Sequence, residues 1–189
     1  MMKKLVLVLL FCIPALQGCA PLVVGGAVAG GALVGQDRRT IGAITEDEAI
    51  ELKASQRIGQ SLPDAHVDVT SFNRVVLLTG EAPSEAKKAD AAAIINRDLA
   101  NVRAIHNEIT LAAASALSAR SNDSYLTSKV KTRLIDVMQL DAQHVKVVTS
   151  NNVVYLMGLV TPQEAEQAAE VTRTTVGVQR VVKVFEYIG

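Results

Sequence analysis

The chain repeats itself once. Val75-Val76-Leu77-Leu78-Thr79-Gly80 matches Val153-Val154-Tyr155-Leu156-Met157-Gly158 at an offset of 78 residues. His66-Val67-Asp68-Val69 matches His144-Val145-Lys146-Val147 at the same offset. Further on, Val102-Arg103-Ala104-Ile105 matches Val178-Gln179-Arg180-Val181 at an offset of 76, so the first copy carries two extra residues in between. A single duplication of this length makes two compact modules, since a solenoid stacks more copies. A module of about 65 residues supports only a marginal core, so each must pack tightly or the two must support each other.

Both copies read as α-β-β-α-β. In the first, Ile50, Ala54 and Ile58 mark the inner face of a helix. His66 to Thr70 and Val75 to Glu81 form a hairpin around a turn at Ser71–Arg74. Ala86, Ala89 and Ala93 give a second helix with a small-residue face, and Asn101 to Leu111 is the last strand. In the second copy, Leu126, Val130, Leu134 and Val137 form the first helix stripe, and a hairpin turns at Ser150-Asn151. Thr161-Pro162-Gln163-Glu164 is a capping box with proline at the first helical position. Ala165, Ala168, Ala169 and Thr172 face inward from that helix, Gly177 ends it, and Val178 to Ile188 is the final strand.

The N-terminus reads as an address. Lys3 and Lys4 precede the apolar run Leu5 to Ala15, which is too short to span a bilayer and fits a signal peptide. Leu16-Gln17-Gly18-Cys19 then resembles a bacterial lipobox. That resemblance implies cleavage after residue 18, covalent lipid on Cys19 and no other cofactor. Ala20 in place of aspartate implies release to the periplasmic face of the outer membrane. Cys12 leaves with the leader, so no free thiol remains for a disulfide, thiol catalysis or a metal. Pro21 to Gly35 has five glycines and no charge, and reads as a flexible tether or one lying on the lipid surface.

Composition narrows the function. Net charge is zero, and falls to −2 once Lys3 and Lys4 leave with the leader. Aromatics are 3% with no tryptophan, so neither a basic footprint nor base-stacking surfaces suggest nucleic acid. No Walker-type loop or nucleophile elbow appears, and His66 and His144 occupy equivalent positions without an acidic or histidine cluster. We therefore expect no metal and no enzyme.

The element order, Gly80 and Gly158 closing the second strands, and the Gly-Val-x-x-Val run at Gly177, Val178 and Val181 resemble the BON domain. The fold expected is α+β: two tandem BON modules, each a three-stranded mixed sheet with two helices on one face. The boundaries are a leader over 1–18, a lipidated tether over 19–44, modules over 45–111 and 122–189, and a linker over 112–121. Two such modules behind a lipobox resemble the dual-BON outer-membrane lipoproteins of Gram-negative bacteria. That resemblance implies binding of anionic phospholipid (phosphatidylglycerol or cardiolipin) through the first helix of the second module. It also implies a division-site role in outer-membrane integrity and a link to the β-barrel assembly machinery. The alternatives are a protein adaptor or a chaperone-like factor for envelope machinery.

The residues bear on this directly. Thr45 to Arg57 carries a net −2, whereas Asn122 to Asp136 carries +1 from Lys129, Lys131 and Arg133 against Asp123 and Asp136. On a wheel at about 100° per residue, Tyr125, Ser128, Lys129, Lys131, Thr132 and Ile135 fall outside the buried arc, and Arg133 borders it. These seven are the candidate phospholipid-binding residues. Tyrosine suits the membrane interface, and each cation near anionic lipid contributes about 1 kcal/mol. Held near the membrane by Cys19, weak binding suffices.

Overall fold

The run Val75-Val76-Leu77-Leu78 is apolar at consecutive positions, so a strand made from it must be covered on both faces. The computed structural model, which describes residues 37–113, 115–138 and 144–189, supplies both covers. The expected leader, Cys19 and the tether through residue 36 lie outside the described residues.

Module 1 comprises α1 (Ile41–Ser61), β1 (His66–Phe72), β2 (Val75–Ala82), α2 (Glu85–Asp98), β3 (Ala104–Asn107) and β4 (Thr110–Leu111). Module 2 comprises α3 (Leu117–Met138), β5 (Val145–Ser150), β6 (Val153–Val160), α4 (Pro162–Arg173) and β7 (Arg180–Tyr187). In each, the second strand is central. It pairs antiparallel with the strand before it and parallel with the strand after the helix. The fold is the expected α+β arrangement, with one departure. The last strand of module 1 is two short pieces, β3 and β4, both paired with β2. An irregular step at Glu108-Ile109 separates them and turns Ile109, 1% exposed, into the core.

Alternation along the central strands divides the burial. Val76 and Leu78 enter a core with Ile50, Ala54, Ile58, Ile94 and Ile95 beneath α1 and α2. Val154 and Leu156 do the same with Leu126, Val130, Leu134, Ala165 and Ala168 beneath α3 and α4. The opposite faces meet each other. Phe72, Val75 and Leu77 pack on Tyr155, Met157 and Val184 in a third core shared by the two sheets. The modules thus form one compact unit.

Polar pairs surround this shared core. Lys146 Nζ donates to Glu51 Oε1 at 2.7 Å and to the Ser71 carbonyl at 3.2 Å. Asn73 Nδ2 donates to Glu186 at 2.9 Å, and Asn151 Nδ2 to Glu81 at 2.8 Å. Arg38 precedes module 1 yet binds module 2. Its guanidinium meets both carboxylate oxygens of Glu164 at 2.8 and 2.7 Å and donates to the Leu159 carbonyl at 2.8 Å. Glu164 also accepts from the Thr161 N–H at 2.7 Å, completing the capping box. The bonds from Arg38 hold the Glu164 carboxyl down at about 2, from an ordinary 4.5.

Several local expectations change. Helix α1 starts at Ile41, inside the segment expected as tether to residue 44, because the Thr40 hydroxyl caps it and Ala43 joins the buried face. Helix α3 starts at Leu117, inside the expected linker 112–121, where the alanine-rich sequence favours helix. The hairpins turn at Asn73-Arg74, the second half of the expected Ser71–Arg74 turn, and at Asn151-Asn152, one residue later than expected, all four at positive φ. Ala86, Ala89 and Ala93 are exposed. Helix α2 instead buries Ala91, Ile94 and Ile95, since isoleucine gains more from burial than alanine. Val137, 61% exposed, lies beyond Leu134, the last buried residue of its stripe.

Two outcomes test this architecture. Met157→Glu places a charge in the shared core, so calorimetry should show one unfolding transition for the wild type and two for the variant. Arg38→Ala should cost about 1 kcal/mol at neutral pH. Glu164 has a folded value below its unfolded one, so its pairing stabilises fully above about pH 4.5 and is lost as pH falls through about 2. Urea denaturation should therefore show the Arg38→Ala deficit shrinking over that interval.

Candidate functional site

Helix α3 is fixed to its module at its N-terminal end by a buried carboxylate. Asp123, 9% exposed, accepts from the N–H groups of Asn151 and Asn152 at 2.8 and 2.9 Å. These are the left-handed turn residues of the β5–β6 hairpin, whose amides have no partner within the turn's own ladder. Module 1 uses the same device. Asp47, 3% exposed, accepts from the N–H groups of Asn73 and Arg74 and from the Ser71 hydroxyl, each at 2.7 Å. Arg39 donates to Asp47 at 2.9 Å and lies 4.1 Å from the centroid of the Phe72 ring. In the sequence both aspartates entered only the net charge of their helices. The signal was present: Asp47 precedes Ile50, and Asp123 precedes Leu126, by the same three residues.

Gly80 and Gly158, expected to close the central strands, lie inside them, two residues before their ends. A Cβ at Gly80 would stand 2.1 Å from the His66 carbonyl oxygen, and one at Gly158 would stand 2.3 Å from that of His144. The repeated histidine and glycine thus mark a close backbone crossing. His66 also meets Arg120, with Nη1 2.8 Å from Nε2. Among the described residues no cluster of metal-ligating side chains occurs.

The seven candidate residues share the α3 surface unequally. Tyr125 is 68% exposed and Ile135 46%. Ser128, Lys131 and Thr132 are exposed, while Lys129 and Arg133 are half-buried. The hydroxyls of Ser128 and Thr132 donate to helix carbonyls four residues back, at 3.1 Å each. Lys129 and Arg133 reach sideways to the turn after α4. Lys129 Nζ donates to the Val176 carbonyl at 2.9 Å, and Arg133 Nη1 to the Thr175 hydroxyl at 2.9 Å. Lys131 points away from that turn on the wheel. The face therefore combines Lys131, which has no partner among the described residues, two cations that double as struts, and exposed apolar bodies. Among the described residues, no helix is long and apolar enough to cross a membrane.

The BON domain model matches residues 46–113 and 122–189. The chain belongs to the BON-domain family. This two-BON chain is 35% identical over 176 residues to the outer membrane lipoprotein DolP of Haemophilus influenzae, covering 92% of this chain and 90% of that protein. It is 32% identical to the 21 kDa hemolysin of Actinobacillus pleuropneumoniae, covering 80% and 79%. It is 26% identical to the osmotically-inducible protein Y of Escherichia coli, covering 80% and 77%.

Replacing Asp123 by alanine strands two turn amides in each folded BON module 2. The expected loss is about 2–3 kcal/mol in chemical denaturation, with the largest amide shifts at Asn151 and Asn152.

Proposed function

We propose that this BON protein is a lipid-anchored outer-membrane lipoprotein, held by acylated Cys19 on the periplasmic face, that binds anionic phospholipid through α3. On this reading it acts without catalysis, supports outer-membrane integrity at the division site, and works alongside the β-barrel assembly machinery. The observation that carries the reading is the α3 surface. Tyr125 and Ile135 project beside Lys131, Lys129 and Arg133 on one element of a protein whose mature charge is negative. An amphipathic surface of this kind suits the headgroup region, where aromatic rings and cations both gain. The similarity to an outer membrane lipoprotein over nearly the whole chain supports the location.

Module 1 favours a second role, as a protein adaptor. Its first helix carries the opposite charge balance, and a groove of about 320 Å³ at the module boundary is lined by polar side chains including Asp68, Glu81 and Arg120. A polar cleft of this kind suits a protein partner better than a bilayer.

The test is flotation of residues 20–189, which contain every contact described above, with vesicles of zwitterionic lipid alone or with phosphatidylglycerol or cardiolipin. Flotation should require the anionic lipid and weaken with salt. Lys131→Glu should lower binding about tenfold by reversing one charge near the surface, and Tyr125→Ala should lower it as well, both with unchanged circular dichroism. Equal flotation of wild type and folded variants would exclude this face.

A further inference from the structure

The turn that follows α4 carries an unusual side chain. Val176 is 80% exposed, the highest value among the large apolar side chains described. Its carbonyl and the two residues before it are nevertheless held. Lys129 binds the Val176 carbonyl, and Arg133 binds the hydroxyls of Thr175 and Thr174 at 2.9 and 3.4 Å. Those hydroxyls are themselves tied to the end of α4: Thr175 Oγ1 donates to the Val171 carbonyl at 2.9 Å, and Thr174 Oγ1 to the Glu170 carbonyl at 3.0 Å. Gly177 sits at φ +105, and a Cβ there would stand 3.3 Å from Leu126 Cδ1, so the turn lies directly against α3.

The other module gives an internal comparison. Lys53 and Arg57 occupy the positions of Lys129 and Arg133 at an offset of 76, and Ala100-Asn101 occupy those of Val176-Gly177. There, Lys53 and Ala100 line an open groove of about 290 Å³ together with the acidic Glu46 and Asp98. The Lys–Arg pair is thus common to both modules, whereas the apolar tip belongs to module 2.

We propose that the Thr174–Gly177 turn is a second element of the membrane-binding surface, with Val176 as an inserting tip. This rests on the reading of α3 as the lipid-binding face. The occupant is an anionic bilayer because the tip stands within one hydrogen bond of Lys129 and beside Arg133, with Tyr125 one helical turn away. An apolar tip flanked by two cations enters the acyl boundary while the cations stay at the phosphates. The struts hold the tip in place before binding, so insertion costs little ordering. Lys129 and Arg133 then serve twice, as supports for the turn and as partners for headgroups.

The chain has no tryptophan, which makes a direct test available. Val176→Trp in residues 20–189 places a single indole at the tip, and Leu52→Trp places one on the exposed surface of module 1. With phosphatidylglycerol vesicles, the indole at 176 should shift its emission to shorter wavelength and be quenched by brominated acyl chains. The indole at 52 should do neither, although that protein floats equally. Val176→Asp should lower vesicle binding about tenfold with an unchanged fold, the loss of one buried valine and the gain of a repelled charge. Flotation of both tryptophan variants with an unshifted indole at 176 would overturn the tip while leaving α3 as the binding face. Flotation of neither would overturn both. A shift that follows protein concentration without lipid would assign the tip to a second copy and overturn the proposal.

Discussion

The structure depends on the contact between the two sheets. Each module has helices on only one side of its sheet, and the central strands are apolar on both. Phe72, Val75 and Leu77 meet Tyr155, Met157 and Val184 and cover what the helices leave open. Leu77 and Met157 are completely buried there. Domains of this size are marginal alone, and the shared core lets each complete the other. The cost is that neither sheet keeps a free face, so any partner must use the helices, the turns or the strand edges.

That constraint limits where a partner can bind. With the sheets turned inward, α1 and α2 point to one side of the unit and α3 and α4 to the other. The duplicated helices kept their buried anchors, Asp47 and Asp123, and their outward Lys–Arg pair, Lys53 and Arg57 against Lys129 and Arg133. They diverged at the exposed positions: Ala49 against Tyr125, Ser55 against Lys131, Gly59 against Ile135, and Ala100 against Val176. A pattern of retained supports and altered surface is what specialisation of one module requires. On the proposed reading, the second module is the membrane-binding one and the first its partner.

Much of the fold was legible in the sequence because duplication presents each element twice. The helix stripe Ile50, Ala54 and Ile58, the capping box at Thr161–Glu164 and the hairpins all follow from local periodicity and turn chemistry. The pairing of the sheets left its mark in the unbroken run Val75 to Leu78, but such a run says only that both faces are covered and not by what. The alanine stripe of α2 misled because small residues at helical spacing fit a close contact and an exposed face equally. On α3, the wheel set Tyr125, Ser128, Lys131, Thr132 and Ile135 outward, and these are exposed. It could not see that Lys129 and Arg133 lean on a turn more than forty residues away, since that contact depends on where the end of α4 docks. Arg38 was invisible for the same reason: its partner, Glu164, lies in the other module.

The most direct measurement is the amide spectrum of residues 20–189 titrated with bicelles that do or do not contain phosphatidylglycerol. Perturbations should be confined to Tyr125–Ile135 and to Thr174–Gly177, and appear only with the anionic lipid. The amides of the shared core and of α1 should stay in place. Perturbations centred on module 1 or on the strand edges would contradict the proposed reading, as would an identical response to neutral bicelles.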